Sequence, residues 1–204
     1  MKNPKISVVV PFHWMENWER LLLRCLMSIE AQTFKDYEII LLKHSTMPVT
    51  SNRAIESAKG DLIKVLYMDD YLAHENALQE IADNFTKESK WLVTGCVHDT
   101  GDGNPTNYHE PKYTDDIFTG NNGIGSPSVL TMSREGLLLF DDTLSWLLDV
   151  DLYKRLHDSF GPPKILSTPN VCIGLHKGQH SNLMPDDKKR EEGIYMLKKH
   201  HATS

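Results

Sequence analysis

A chain of 204 residues, 40% hydrophobic and 25% charged, has the length and apolar content of one globular domain, which excludes wholesale disorder. Its net charge of −6, from 28 acidic against 22 basic residues, argues against nucleic acid as the main partner, because that binding needs a basic stripe. An anionic ligand must then be held by local groups rather than by the overall field.

Lys5-Ile6-Ser7-Val8-Val9-Val10 is β-branched and apolar and is bounded by Pro11, so it predicts a central parallel strand. Phe12-His13-Trp14-Met15 forms the loop at that strand's carboxyl end. From Glu16 to Gln32 an amphipathic helix is expected, with Trp18, Leu22, Leu26 and Ile29 recurring at three- and four-residue spacing. Tyr37 to Leu42 predicts the second strand, followed by the loop Lys43 to Pro48. Thr50 or Ser51 is placed to cap a short helix running to Ala58, with Gly60 ending it. Leu62 opens a third apolar strand that runs into Asp69-Asp70. His74 to Phe85 returns as a helix, turning Leu78, Ile81, Ala82 and Phe85 toward the sheet, and Trp91 to Val97 is another strand. This alternation predicts an α/β fold with a Rossmann-like, mostly parallel central sheet flanked by helices.

Beyond His98 the pattern weakens. Asp99 to Asn122 is polar, contains Gly and Pro, and reads as a long loop; the stretch from Asp99 to Gly125 is either a lid and acceptor platform or a plain flexible insertion. A strand follows from Ser128 to Met132. The helix from Leu144 to Phe160 buries Leu147, Leu148, Leu152 and Leu156 and carries Asp149 in its early turns. Ile165 to Leu175 is extended, and Asp186 to His201 is a charged helix with His200-His201 as a solvated tail. The expectation is one domain over 1–204, with halves at 1–97 and 98–182 and a terminal helix within 183–204. Cys25, Cys96 and Cys172 are far apart, odd in number and without a Cys-x-x-Cys, which suggests a reducing, cytoplasmic setting. Met1 to Lys5 is too short and polar for a leader, and no apolar run is long enough to span a bilayer.

Asp69-Asp70 is the stretch on which function turns. Open α/β sheets bind ligands beyond the carboxyl ends of their strands. Adjacent acids there repel and lose hydration, and a hard divalent cation cancels both costs. Mg²⁺ is commonly held by one or two carboxylates together with substrate phosphates. The same dipeptide also suits a plain turn before a helix N-cap.

In order along the chain stand Ile6-Ser7-Val8-Val9-Val10-Pro11, Arg24-Cys25-Leu26-Met27-Ser28-Ile29 with Gln32-Thr33-Phe34, and Tyr37-Glu38-Ile39-Ile40. Asn52-Arg53-Ala54-Ile55, Ala58-Lys59-Gly60-Asp61 and Met68-Asp69-Asp70 follow. By these pieces the chain resembles the family 2 glycosyltransferases of the GT-A fold, closely over its first part and more loosely from Asn122 to Asn182. The resemblance implies a single GT-A-like domain that transfers a sugar, with inversion, from a nucleotide-diphosphate donor (UDP by default) to an acceptor hydroxyl. It implies Mn²⁺ or Mg²⁺ as cofactor. Asp70 matches the family's metal-binding acid, and Asp69 the acid that meets the donor and flanks the metal.

Asp149, in Leu148-Asp149-Val150-Asp151-Leu152, falls where the family carries its general base, although the usual Glu before it is Leu148 here. An apolar neighbour raises a carboxylate's pKa toward a useful value. The alternative is that Asp149 and Asp151 only complement a helix dipole. His176 is read as a further metal or diphosphate ligand, which would favour Mn²⁺, or as a surface histidine in a turn; Lys177 and His180 are alternative phosphate contacts. Donor contacts are expected from Pro11, Phe12, His13, Ser45, Asn52 and Arg53, with Trp14 nearby, and acceptor contacts from Asn122, Gly123 and Asp151.

The chain departs from the family at Lys43-His44-Ser45-Thr46, which replaces an Asp-Asp-Gly-Ser-like base-recognition turn, and the segment to Asn52 is shortened. Two rivals stay open. One is a non-catalytic sugar-binding module on the same fold. The other is a sugar-phosphate nucleotidyltransferase, whose Gly-rich phosphate loop has no counterpart in Pro11-Phe12-His13-Trp14.

Overall fold

Strand β1 (Ile6–Pro11) is buried along its whole length between β2 (Tyr37–Leu42) and β3 (Leu62–Val65), and runs parallel to both. Its β-branched run fits that position, since a strand covered on both faces has no use for polar alternation. The computed structural model describes residues 3–86 and 88–201. Residues 1, 2 and 202–204, which the sequence reading assigns to the domain's ends, lie outside the described residues.

Helix α1 (Trp18–Glu30) buries Leu21, Leu22, Cys25 and Ile29, close to the predicted stripe, while Trp18 and Leu26 are half-buried against the same core. Helix α2 (Met47–Ser57) starts earlier than expected. Thr50 and Ser51 therefore sit inside it, and their hydroxyls donate to the carbonyls of Thr46 and Met47 at 2.8 Å instead of capping. Next come the short strand β4 (Tyr71–Leu72), helix α3 (Ala77–Asn84), the long strand β5 (Trp91–Asp99) and β6 (Thr106–His109). Strand β7 (Leu130–Ser133), helix α4 (Leu148–Phe160), strand β8 (Lys164–Gly174), the single turn α5 (His180–Leu183) and helix α6 (Asp186–His201) complete the described chain.

The sheet order is β2-β1-β3-β7-β5-β8-β4, with β6 on β5. The expected mostly parallel sheet is corrected here: it is mixed. β7 is antiparallel to β3 and β5, and β4 to β8, while β5 and β8 are parallel. The cause is where the chain enters. Ser126 to Val129 turns beside Asp70, at the carboxyl end of β3, so β7 can only run back, pairing Lys64 with Thr131 and then Leu62 with Ser133.

Two further expectations are revised. The stretch read as a loop from Asp99 to Asn122 contains β6, hydrogen-bonded to β5. His200 is no solvated tail: it is 7% exposed and bonds Asp151 at 3.0 Å. All three cysteines are free and buried. Among the described residues no helix is long and apolar enough to cross a membrane.

Candidate active site

β3 leaves the ladder after Val65, and the chain turns through Met68, Asp69 and Asp70 at the sheet's rim. Asp70 Oδ1 accepts the Gly174 N–H at 2.9 Å, and Oδ2 accepts the Ser126 hydroxyl at 3.2 Å. Gly174 is required for this approach, because a Cβ there would lie 2.3 Å from the Asp69 carbonyl oxygen. Arg24 holds the turn from behind, donating to the Asp69 carbonyl at 2.6 Å and to Asp99 Oδ2 at 2.9 Å. Asp69 Oδ2 meets His176 Nε2 at 3.0 Å. Burial and the Asp69 charge push the Asp70 carboxyl well above the usual range, against the pull of hydrogen bonds from Ser128, Gly174 and Ser126.

The turn faces a cavity of about 590 Å³ whose lining includes Phe12, His13, Ser45, Asp69, Asp70 and Asp149. Asp149 enters from the opposite wall, in the first turn of α4. Its Oδ1 accepts the Val150 N–H at 2.8 Å, and Oδ2 accepts the Asn122 amide at 2.8 Å. Burial lifts its carboxyl from 3.8 to about 7, although these hydrogen bonds oppose the rise. The wall is completed by Tyr67, Ser126, Trp146 and Leu148, and by Gly178 to Ser181 in the turn into α5. His13 is pulled below its ordinary value by burial, partly offset by Asp69.

The start of α4 is built from afar. Leu147, its N-cap, offers no side-chain acceptor. The Glu192 carboxylate of α6 supplies one, accepting the N–H groups of Ser145, Trp146 and Leu147, each at 2.9 Å. Those N–H groups lie at and just before the N-cap, where the helix offers no acceptor, and an acid suits the positive end of its dipole.

Several predicted residues lie elsewhere. Pro11 ends β1 in the core. Asn52 clamps the backbone of Phe140 through both its amide atoms, at 2.9 and 2.8 Å, and Arg53 is exposed off the cavity. Gly123 packs on the Lys112 backbone, whose oxygen lies 2.4 Å from where a Cβ would sit. Asn122 is half-buried: its amide bonds Asp149 and the Gly125 carbonyl, while its oxygen accepts from Ile124 and Gly125. Asp151 is fully buried and turned away, bound by Arg155 at 2.8 Å, Lys199 at 2.7 Å and His200 at 3.0 Å. Sequence reasoning missed Ser126, Gly174 and Glu192, whose roles arise only from contacts between distant segments.

Asp69, Asp70 and His176 do not form a three-ligand cage, and among the described residues no group of three or more His, Cys, Asp or Glu is arranged as one. The donor set nevertheless fits a hard cation. Neither acid has a Lys or Arg salt bridge among the described residues, and the hydrogen bonds to Asp70 come from neutral donors. One or two carboxylates completed by ligand phosphate is a usual Mg²⁺ or Mn²⁺ arrangement.

No protein-family model matches the sequence, and no curated protein sequence is significantly similar to it. Solved structures do match in fold. Residues 1–349 of S. aureus TarS in complex with UDP-GlcNAc superpose with a TM-score of 0.66 at 17% identity, over 95% of this chain and 66% of that one. The same TarS segment without ligand gives 0.64 at 18% identity, over 83% and 60%. The mannosyltransferase PcManGT from Pyrobaculum calidifontis, in complex with GDP-Man and Mn²⁺, gives 0.58 at 11% identity, over 97% and 64%. The chain thus shares its fold with these structures, and it spans less than two thirds of the length of each of them.

Proposed function

We propose that this chain is a metal-dependent, inverting glycosyltransferase of the family 2 type, moving a sugar from a nucleotide-diphosphate donor to an acceptor hydroxyl. One observation carries the reading: a single cavity is faced from one wall by an adjacent carboxylate pair that makes no Lys or Arg salt bridge among the described residues, and from the other by a carboxylate lifted to about 7. The first is suited to a cation and diphosphate, the second to a proton. UDP-sugars are the first donors to try, since TarS is seen with UDP and with UDP-GlcNAc.

In this scheme Asp70 and Asp69 would hold Mn²⁺ or Mg²⁺, which supplies Lewis-acid stabilisation of the departing diphosphate. Asp149 accepts the proton of the acceptor hydroxyl as its oxygen bonds the anomeric carbon. The electron pair of the broken carbon–oxygen bond leaves with the diphosphate. A base near neutrality is well matched to that transfer at pH 7. Asn122 keeps Asp149 Oδ2 oriented, and Phe12, His13 and Ser45 line the wall where the nucleoside is expected.

The test is equilibrium binding of UDP- and GDP-sugars with and without Mn²⁺, followed by transfer assays. Donor binding is expected to need the cation and to collapse in Asp70→Ala. Asp149→Asn is expected to keep donor affinity while transfer falls by about 10²-fold or more. Tight, cation-independent donor binding by Asp70→Ala rejects the reading.

A further inference from the structure

Directly beneath the acid turn, the middle of β3 carries a lysine. Lys64 is 0% exposed, paired in register with Val8 on one side and Thr131 on the other. Its Nζ donates to the Ser128 carbonyl, and no acid forms a salt bridge with it among the described residues. Around it the sheet interior is polar yet incompletely bonded: the hydroxyls of Thr131 and Thr94 are buried and without a partner. A buried ammonium with no direct counter-ion is costly, and an apolar side chain of similar volume would fill the space at lower cost.

The charge that Lys64 faces is Asp70. The Ser126–Ser128 turn joins the two: Ser126 donates to the Asp70 carboxylate while Ser128 receives Lys64. Burial draws the ammonium down to about 7, with Asp70 acting in the opposite sense. We propose that Lys64 is a positioning residue that acts through Asp70: its charge beneath the acid turn weakens binding of a divalent cation by the carboxylates alone, so that the cation is held firmly only together with the donor's diphosphate. The proposal rests on the cation–diphosphate reading of the site. Its consequence is joint capture and joint release of cation and nucleotide, rather than a permanently loaded metal.

Mn²⁺ binding is measured by water-proton relaxation at pH 6, where Lys64 is mostly charged, with and without UDP, in wild type, Lys64→Met, Lys64→Gln, Asp70→Asn and the Asp70→Asn/Lys64→Met double variant. Gln keeps an N–H for Ser128 and Met does not, so a shared effect belongs to the charge. A dication feels the lost charge twice as strongly as a competing proton, so the direction survives protonation of Asp70. Without UDP, both neutral variants are expected to bind Mn²⁺ on the order of tenfold tighter than wild type, whereas the double variant gains nothing over Asp70→Asn. Structural damage would weaken binding, the opposite sign. Equal or weaker Mn²⁺ binding by folded Lys64→Gln overturns the proposal alone. Failure of both neutral variants to fold also overturns it, by making the lysine a structural requirement. Wild type that binds no more Mn²⁺ than Asp70→Asn, even with UDP, overturns the reading of the site and this proposal with it.

Discussion

Replacing Asp149 by Asn separates what the proposed base does for the fold from what it does for transfer. Burial lifts this carboxyl from 3.8 to about 7, so its ionised form costs the folded state up to about 4 kcal/mol. The sign follows from which state holds the proton. Between pH 4 and 7 the folded protein keeps it while the unfolded chain has lost it. Stability from this group is therefore full below about pH 4 and is lost as pH rises through about 7. Asn has the shape of the protonated acid and cannot ionise, so near pH 4 the two proteins are expected to agree within about 1 kcal/mol. By pH 8 the variant is expected to be about 2–4 kcal/mol the more stable, or on the order of 5–10 °C in Tm. Urea denaturation of both proteins from pH 4 to 8 reads the difference directly, and groups present in both largely cancel. Stability curves that run parallel across that range would refute the assignment of a raised, burial-driven pKa to Asp149.

Gly174→Ala puts a methyl group 2.3 Å from the Asp69 carbonyl oxygen and 2.8 Å from Arg24. The acid turn must shift, with about 1–3 kcal/mol lost and Mn²⁺–UDP binding weakened more than tenfold; a crystal structure with that turn unmoved would disprove the steric argument. Glu192→Ala leaves three backbone N–H groups at the start of α4 unpartnered, at about 1–3 kcal/mol. Amide exchange at Ser145, Trp146 and Leu147 is then expected to quicken together, while exchange in β1 stays slow.

Local pattern exposed the first half of the fold well. Strand β2 falls on Tyr37 to Leu42 as expected, and Leu78 and Ile81 of α3 are fully buried, because the apolar content of each stretch shows in its own residues. The direction of β7 was invisible for the opposite reason. Leu130 to Ser133 reads as a strand whichever way it runs, and only the docking of Ser126 beside Asp70 decides it. Similarly, His200 looked like part of a polar tail because its partner, Asp151, lies 49 positions earlier.

The same physics divides the candidate site. Asp69-Asp70 is legible through the run of motifs that leads up to it and not by itself, since Asp141-Asp142 follows an apolar run just as closely. What fixes those acids is not legible: the Gly174 N–H that holds Asp70 comes from 104 positions away. Asn122 is a second case: its place in a Gly- and Asn-rich loop does not reveal that its amide holds Asp149, 27 positions later, or that its other hydrogen bonds stay within its own turn. A loop tied to the proposed base in this way is a poor choice for a freely opening lid at Asn122, since opening there would release Asp149 Oδ2. Any movement that admits an acceptor is therefore expected in the turn from Gly178 to Ser181, which lines the cavity and packs no buried residue of α5 beneath it.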